Sequence, residues 1–255
     1  MNGVVTLALA PVLNRYRPTV RYSATDAVWR EQADRVARVC VDLVPDLVGV
    51  YVHGSAALGG FGPGSGLDVL VVVDGEAGWR SLGHQLLTQG SRPRTLELSV
   101  VQADACANPA QPWPYILHVN SSESRFNLDP GAGDPDLIAH YAVARAAGVA
   151  IVGPSPADVV GPVSAGELTE YLRGELRSGV EQADQRYAVL NACRATAFTE
   201  ERLLLSKTDG ARWWLQRFGP EPVVTEALRA QERGADLGPC SAAARAFVAT
   251  TIERL

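Results

Sequence analysis

The spacing of hydrophobic and polar residues divides the chain into two parts. Up to about residue 152, short apolar runs alternate with helical repeats and glycine-rich turns, which predicts an α/β domain. The predicted strands cover residues 48–52, 67–73, 95–100, 115–119 and 149–152. The same spacing predicts helices at residues 25–43, 76–89 and 136–147, and loops at residues 103–114 and 121–135.

The second part of the chain has helical patterns alone. Ser164 and Glu167 form a capping-box sequence, which predicts that a helix begins there and runs to about residue 181. Further helices are predicted at residues 184–206, 209–218, 222–233 and 241–255. The proline-rich segment 153–162 separates the two parts. We therefore predict an N-terminal extension (1–24), an α/β domain (25–157) and a helical domain (158–255).

Composition narrows the class of protein. The chain has 255 residues, is 47% hydrophobic and carries a formal net charge of −5, which is typical of a soluble globular protein and argues against nucleic-acid binding. A protein with this negative charge is better suited to bind a small cationic ligand than a nucleic acid. The four cysteines have no metal-binding spacing, which favours a reducing compartment, the cytoplasm. The apolar segment 4–10 is too short for a membrane anchor and lacks the basic start of a signal peptide.

The glycine-rich turn between the strands at 48–52 and 67–73 is the first candidate site. Gly54 and Ser55 would place backbone N–H groups and a hydroxyl beside an anion, and Asp68 stands where the next strand begins. Neither of the two common phosphate-loop motifs is present. The alternative is a glycine-rich β-turn beside a core strand with an incidental aspartate.

Glu97 is the second candidate. In residues 95–100, polar and apolar side chains alternate, as in a half-buried strand. A charge at the centre of such a strand suggests a function where its neighbours are buried. The alternative is a solvent-facing residue on an edge strand.

The turn resembles the signature of the polymerase-β-like nucleotidyltransferases. It is most similar to the streptomycin and spectinomycin adenylyltransferases, and the matching residues are Gly54, Ser55, Ala56, Gly59, Gly60, Pro63, Ser65, Asp68, Leu70, Val71 and Val73. Residues 152–156, 184–194 and 206–214 also resemble motifs of this family. The resemblance implies a nucleotidyltransferase domain with a mixed β-sheet, followed by an all-α helical bundle domain.

The resemblance also implies roles for individual residues. Asp68 and Glu97 would hold Mg²⁺, and Glu97 would be the general base. The residues implied in binding ATP are Gly54, Ser55, Ser65, Arg194 and Lys207.

Each implied role in the helical half has a structural alternative. Asp184 would hold amino groups of the substrate, but a carboxylate there also suits a helix N-terminus. Arg194 could instead form a buried ion pair, and Lys207 could be a surface charge. Lys207 is the one lysine among 23 basic residues, which favours a function for it.

One departure from the family separates two hypotheses of function. Gly66 stands where the family has the first aspartate of its metal-binding pair. The first hypothesis is Mg²⁺-dependent transfer of AMP from ATP to a hydroxyl of an aminoglycoside-like molecule or other amino-polyol. The alternative is a repurposed protein of the same fold that binds a nucleotide or small molecule, or has altered biosynthetic chemistry. Residues 120–127 lack the tryptophan of streptomycin-modifying members, which argues against streptomycin as the acceptor.

Overall fold

One mixed sheet organises the first half of the molecule. The computed structural model describes residues 24–129, 131, 133–182 and 184–255, so the expectations for residues 1–23, including segment 4–10, lie outside the described residues. The strands found are β1 (Leu47–Val52), β2 (Leu67–Val73), β3 (Leu96–Gln102), β4 (Leu117–Asn120), β5 (Arg125–Asn127) and β6 (Val149–Val152). Their order is β5-β4-β3-β2-β1-β6; β2 and β3 are parallel and the other neighbours are antiparallel.

Helices cover the sheet and form the second half. The helices found are α1 (Ala24–Leu43), α2 (Gly54–Ala57), α3 (Trp79–Gln85), α4 (Ala103–Ala107), α5 (Leu137–Ala147), α6 (Pro156–Val159), α7 (Ala165–Gln182), α8 (Gln185–Glu201), α9 (Lys207–Phe218), α10 (Pro222–Arg233) and α11 (Ala242–Arg254). Across the described ranges, no helix is both long and apolar enough to span a membrane. The predicted fold class is confirmed.

The two faces of the sheet belong to different cores. Successive side chains of a strand point to opposite faces. In β2, Val69 and Val71 share a core with α1, whereas Leu70 and Val72 share one with α5. Asp68 has the parity of Leu70, so its carboxylate lies on the α5 face. By the same parity Glu97 lies on this face of β3.

The helical half meets the sheet on that same face. Leu168 of α7 and Phe198 of α8 belong to one buried cluster with Leu70 and Val72. Helices α7 to α11 also build a separate core of their own around Val189 and neighbouring apolar residues. Because the two halves share buried contacts, the division near residue 157 stays a prediction.

Two segments expected to be loops contain regular structure. Residues 103–114 include α4, which is held down by the fully buried Cys106. Residues 121–135 include the short edge strand β5, where Phe126 packs against the core. Both elements are three to five residues long, too short for hydrophobic periodicity to reveal.

Three predicted helix boundaries are also wrong. The helix expected from residue 76 begins at Trp79. The helix expected at 184–206 ends at Glu201, because Arg202 takes a left-handed conformation, with φ of 58°. The next helix starts at Lys207 instead of residue 209, since the Ser206 side chain caps it by accepting the Asp209 N–H at 3.1 Å.

A buried glutamine ties α1 to the segment that enters β3. The Gln32 side chain is fully buried, and its amide nitrogen donates to the carbonyls of Gly90 and Arg94, both at 2.8 Å. Its oxygen accepts the Arg94 N–H at 3.0 Å. The three bonds satisfy backbone groups that no strand partner reaches, and so fix the start of the strand that carries Glu97.

We expect Gln32→Ala to lower the free energy of unfolding by about 2–4 kcal/mol, because it leaves buried backbone groups without partners. Urea unfolding followed by circular dichroism measures the change. The control, Gln216→Ala on the exposed side of α9, should change it by less than about 0.5 kcal/mol. Equal urea midpoints for Gln32→Ala and the control would contradict this role.

Candidate active site

The Asp68 carboxylate lies against the backbone of the glycine-rich turn. Gly54 has a φ of +59°, and a Cβ atom added there would come within 1.8 Å of Asp68 Oδ2. Only glycine permits this approach at this φ. The Ser55 backbone N–H favours the ionised form of the Asp68 carboxylate and so opposes the rise in its pKa. Gly54 and Ser55, both predicted as anion ligands, therefore also position Asp68.

Glu97 is the direct neighbour of Asp68. The parallel pairing of β2 and β3 places the two residues opposite each other, and both are only partly exposed. Burial and, secondarily, the nearby Glu97 carboxylate together raise the pKa of Asp68 to about 6, against the opposing effects of His140 and Lys207. The two carboxylates repel each other, so a cation between them would be stabilised.

Gly66 contributes no carboxylate to this pair, and the space beside it is limited. A Cβ atom at Gly66 would come within 2.8 Å of Thr95 Oγ1 and 3.2 Å of the Thr95 carbonyl oxygen. Ser65, the next candidate ligand, closes the glycine-rich turn: its hydroxyl accepts the Gly62 N–H at 3.0 Å. The Ser65 oxygen thus has a structural partner already, although its hydroxyl proton remains available.

The remaining pair of carboxylates still suits Mg²⁺. Among the described side chains, no group of three or more His, Cys, Asp or Glu could enclose a metal ion. Mg²⁺ commonly uses one or two carboxylates and takes its other ligands from phosphate oxygens and water. Asp68 and Glu97 fit that pattern, because they are adjacent, share one face of the sheet and repel each other.

Two cations from the helical half face the carboxylates. Lys207 Nζ lies 4.5 Å from the centre of the Tyr187 ring. Burial and, secondarily, the Arg194 guanidinium together lower the pKa of Lys207 to about 8. The negative charge of Asp68 has the opposite effect and raises the pKa values of both Lys207 and Arg194. Such a pair of half-buried cations is well placed to receive the phosphates of a nucleotide.

Packing fixes the positions of Arg194 and Lys207. Arg194 Nε donates to the Leu205 carbonyl at 2.9 Å, and Nη1 donates to Asn191 Oδ1 at 3.1 Å. The glycine-rich turn packs on the start of α9, where a Cβ atom at Gly60 would come within 2.4 Å of Ser206 Cβ. This contact brings the turn beside Lys207. Arg194 has no carboxylate partner within the described residues, so the ion-pair alternative is not favoured.

Asp184, the predicted substrate ligand, has structural partners. Its Oδ1 accepts the Arg186 N–H at 3.0 Å, and its Oδ2 accepts the N–H groups of Leu237 and Gly238 at 2.7 and 2.6 Å. The carboxylate caps α8 and anchors the segment before α11. This arrangement favours the structural alternative, and the substrate-binding role stays a prediction.

Several polar residues near the cations were not identified from the sequence. Tyr187 donates to Glu175 Oε2 at 2.9 Å, and Tyr171 donates to Asp136 Oδ1 at 3.0 Å. Burial raises the pKa of Glu175. The first bond joins α7 to α8 within the helical half, and the second joins α7 to the residue before α5, so the second helps to fix the helical half against the sheet. Glu175 and Tyr187 lie twelve residues apart on different helices, and no local pattern marks such a pair.

Two histidine rings are in contact on the side of the sheet that carries Asp68. The rings of His53 and His140 have centroids 4.7 Å apart. Burial lowers the pKa of His53, and His140 lowers it further, so the His53 imidazole is neutral at pH 7. The His53 N–H donates to the Asp68 carbonyl at 3.0 Å, which continues the pairing of β1 with β2.

The sheet, the paired carboxylates and the facing cations are those of a nucleotidyltransferase. Residues 33–116 match the sequence model of the nucleotidyltransferase domain, and residues 158–251 match that of the aminoglycoside adenylyltransferase C-terminal domain.

Relatives identify the family. An aminoglycoside (3'') (9) adenylyltransferase from Klebsiella pneumoniae is 30% identical over 211 residues, which cover 74% of this chain and 79% of the relative. A spectinomycin 9-adenylyltransferase from Staphylococcus aureus is 25% identical over 213 residues, which cover 76% of this chain and 80% of the relative. The chain belongs to the aminoglycoside adenylyltransferase family.

A solved structure shares the fold. A spectinomycin adenyltransferase, AAD(9), from Enterococcus faecialis, solved with ATP and spectinomycin, superimposes with a TM-score of 0.68 at 17% identity. The alignment covers 88% of this chain and 98% of that chain. The likeness extends through both the sheet and the helical half.

The raised pKa of Asp68 predicts how a neutral replacement affects stability. The folded state holds the proton more tightly than the unfolded state, whose pKa is near 3.8, so ionised Asp68 destabilises the fold above about pH 6. In EDTA, Asp68→Asn should raise the free energy of unfolding by about 1–3 kcal/mol at pH 8. The gain should shrink as the pH falls from 6 to 4.

Thermal unfolding of the metal-free protein across that pH range measures the effect. The matched control is Asp74→Asn, at an exposed position just after β2. A pH-independent difference between wild type and Asp68→Asn, or a gain as large in the control, would contradict this account of the Asp68 environment.

Proposed function

We propose that the protein transfers AMP from ATP to a hydroxyl of an amino-polyol of the aminoglycoside or spectinomycin class. The observation that carries the proposal is the register of β2 and β3, which sets Asp68 beside Glu97 opposite Arg194 and Lys207. The names of the relatives supply the substrate class. The net charge of −5 suits an acceptor with amino groups.

The nucleotide would lie between the glycine-rich turn and the start of α9. Arg194 and Lys207 neutralise phosphate charge as the pyrophosphate leaves, and their packing holds them in place before ATP arrives. Gly54, Ser55 and Ser65 line the other side of the phosphates. Bound to Asp68 and Glu97, Mg²⁺ would polarise the α-phosphate and neutralise its charge.

Glu97 accepts the proton of the acceptor hydroxyl. The hydroxyl oxygen then forms a bond with the α-phosphorus, the bond from that phosphorus to the bridging oxygen breaks, and pyrophosphate departs. Such a reaction depends mostly on positioning and charge neutralisation. The direct pairing of Glu97 with Asp68 keeps the base within one strand spacing of the metal ligand.

The sequence also bears on the acceptor molecule and on the cellular compartment. We favour spectinomycin over streptomycin, because the loop after β4 lacks tryptophan. Asp184 is a less suitable acceptor ligand than its position in the motif suggests, since both of its oxygens accept backbone hydrogen bonds. The cytoplasm is the proposed compartment, which the four free, buried cysteines support.

A repurposed protein remains the second candidate, and Gly66 is the observation that favours it. Loss of one metal ligand removes transition-state stabilisation that the facing cations would have to supply. Under this hypothesis the chain binds a nucleotide or a small molecule but releases no pyrophosphate.

Glu97→Gln tests the assignment of the base. Without the carboxylate, kcat for AMP transfer to spectinomycin should fall by at least about 100-fold, the usual contribution of a general base. Affinity for a non-hydrolysable ATP analogue should weaken less than about tenfold, since Asp68, Arg194 and Lys207 remain. Glu253→Gln, at an exposed site on α11, is the control. Unchanged kcat in Glu97→Gln would refute Glu97 as the base.

Restoring the missing carboxylate separates the two hypotheses. Gly66→Asp combined with Thr95→Ala removes the hydroxyl that the new Cβ would approach at 2.8 Å, and Gly66→Asn with Thr95→Ala is the uncharged match. If the enzyme hypothesis holds, wild type transfers AMP and the aspartate variant does so at lower Mg²⁺ concentration. If the second hypothesis holds, wild type is inactive and only the aspartate variant releases pyrophosphate. Pyrophosphate release at varied Mg²⁺ measures both.

A further inference from the structure

A row of polar side chains continues from Glu97 along the same face of the sheet. Glu97 is opposite Asn120 in the pairing of β3 with β4, and Ser99 is opposite His118. Residues two positions apart in a strand share a face and lie about 7 Å from each other. Ser99 and His118 are thus one step from the proposed base, toward the centre of the sheet.

The His118 ring is fixed through one nitrogen. Its Nδ1 lies 3.1 Å from Ser99 Oγ and 3.8 Å from Asp134 Oδ2. Ser99 is buried, and the Asp134 carboxylate is itself fixed because its Oδ1 accepts the Asp136 N–H at 3.0 Å. Neither contact uses the opposite ring nitrogen.

The other nitrogen of His118, Nε2, has no hydrogen-bond partner within the part of the chain that the structure describes. The His118 side chain is 23% exposed and that of Asp134 is 18% exposed, so a ligand can reach both. A ring held through Nδ1 has its Nε2 available to donate or accept one further hydrogen bond. The alternative role, holding β4 to β3 and the start of α5, needs only Nδ1.

We propose that His118 binds the acceptor molecule through Nε2, with Ser99 and Asp134 as positioning residues. This inference rests on the proposed function. His118 is one strand across and two residues along from Glu97, a backbone separation of about 8 Å, so Glu97 can take the proton of one hydroxyl while His118 bonds a second oxygen of the same ring-sized molecule. Asp134 adds negative charge beside a cationic amino-polyol, which Asp184, occupied by backbone groups, supplies less well.

Two conservative substitutions at His118 distinguish the role of Nδ1 from the role of Nε2. His118→Asn keeps a polar atom near Nδ1, for Ser99, but has none near Nε2; His118→Gln places its amide nitrogen near Nε2. The control is His84→Asn, at an exposed site on α3. The probe is spectinomycin, titrated calorimetrically in the presence of Mg²⁺ and a non-hydrolysable ATP analogue.

We expect His118→Asn to raise the Kd and KM for spectinomycin by at least about tenfold, and His118→Gln to recover part of the loss. The Kd for the ATP analogue should stay within about twofold of wild type in both variants. Equal spectinomycin affinity in His118→Asn and wild type overturns the inference. So does a parallel loss of nucleotide affinity and thermal stability, which a purely structural role would produce.

Failure of the proposed function gives a different result. If wild type binds spectinomycin in a His118-dependent manner but forms no adenylylated product, the binding site stands and the transfer reaction is rejected. If wild type binds neither spectinomycin nor streptomycin, the inference is overturned, and nucleotide binding tests the remaining part of the proposed function separately.

Discussion

The carboxylate of Asp68 is held where like charge and burial both work against it, and much of the site is arranged to offset that cost. The Gly54 turn approaches the carboxylate closely, and the Ser55 N–H favours its ionised form. The pairing of β2 with β3 adds a second carboxylate alongside, and α8 and α9 bring two cations toward it. A bound metal and nucleotide would complete this balance of charge.

The helical half is therefore part of the site. Arg194 and Lys207 lie on helices that share a core with the sheet through Leu168 and Phe198, and the Tyr171–Asp136 bond crosses between the two halves. These contacts hold the cations at a fixed distance from the carboxylates before any ligand binds. Prepositioned charge of this kind stabilises a transition state without reorganisation during the reaction.

The sequence was sufficient for five of the six described strands, for the long helices and for the alternation of Glu97 with apolar neighbours, because hydrophobic periodicity marks these features. Strand β5 is too short to be found in this way. The sequence could not give the register that sets Asp68 opposite Glu97, since that depends on a crossover of more than twenty residues. The occupation of Asp184 by the backbone of residues 237 and 238, over fifty positions away, was equally beyond local patterns. The same applies to the Ser99–His118 contact, which exists only once β3 and β4 have paired.

We propose that Asp68 and Glu97 still form a metal-dependent nucleotide site although Gly66 provides no ligand. Calorimetric titration of a non-hydrolysable ATP analogue, with Mg²⁺ and with EDTA in its place, measures whether nucleotide binding depends on the metal. The structure predicts binding that is at least about tenfold tighter with Mg²⁺, a dependence that Asp68→Asn removes. Equal affinity in Mg²⁺ and EDTA, or no binding in either, would contradict the claim.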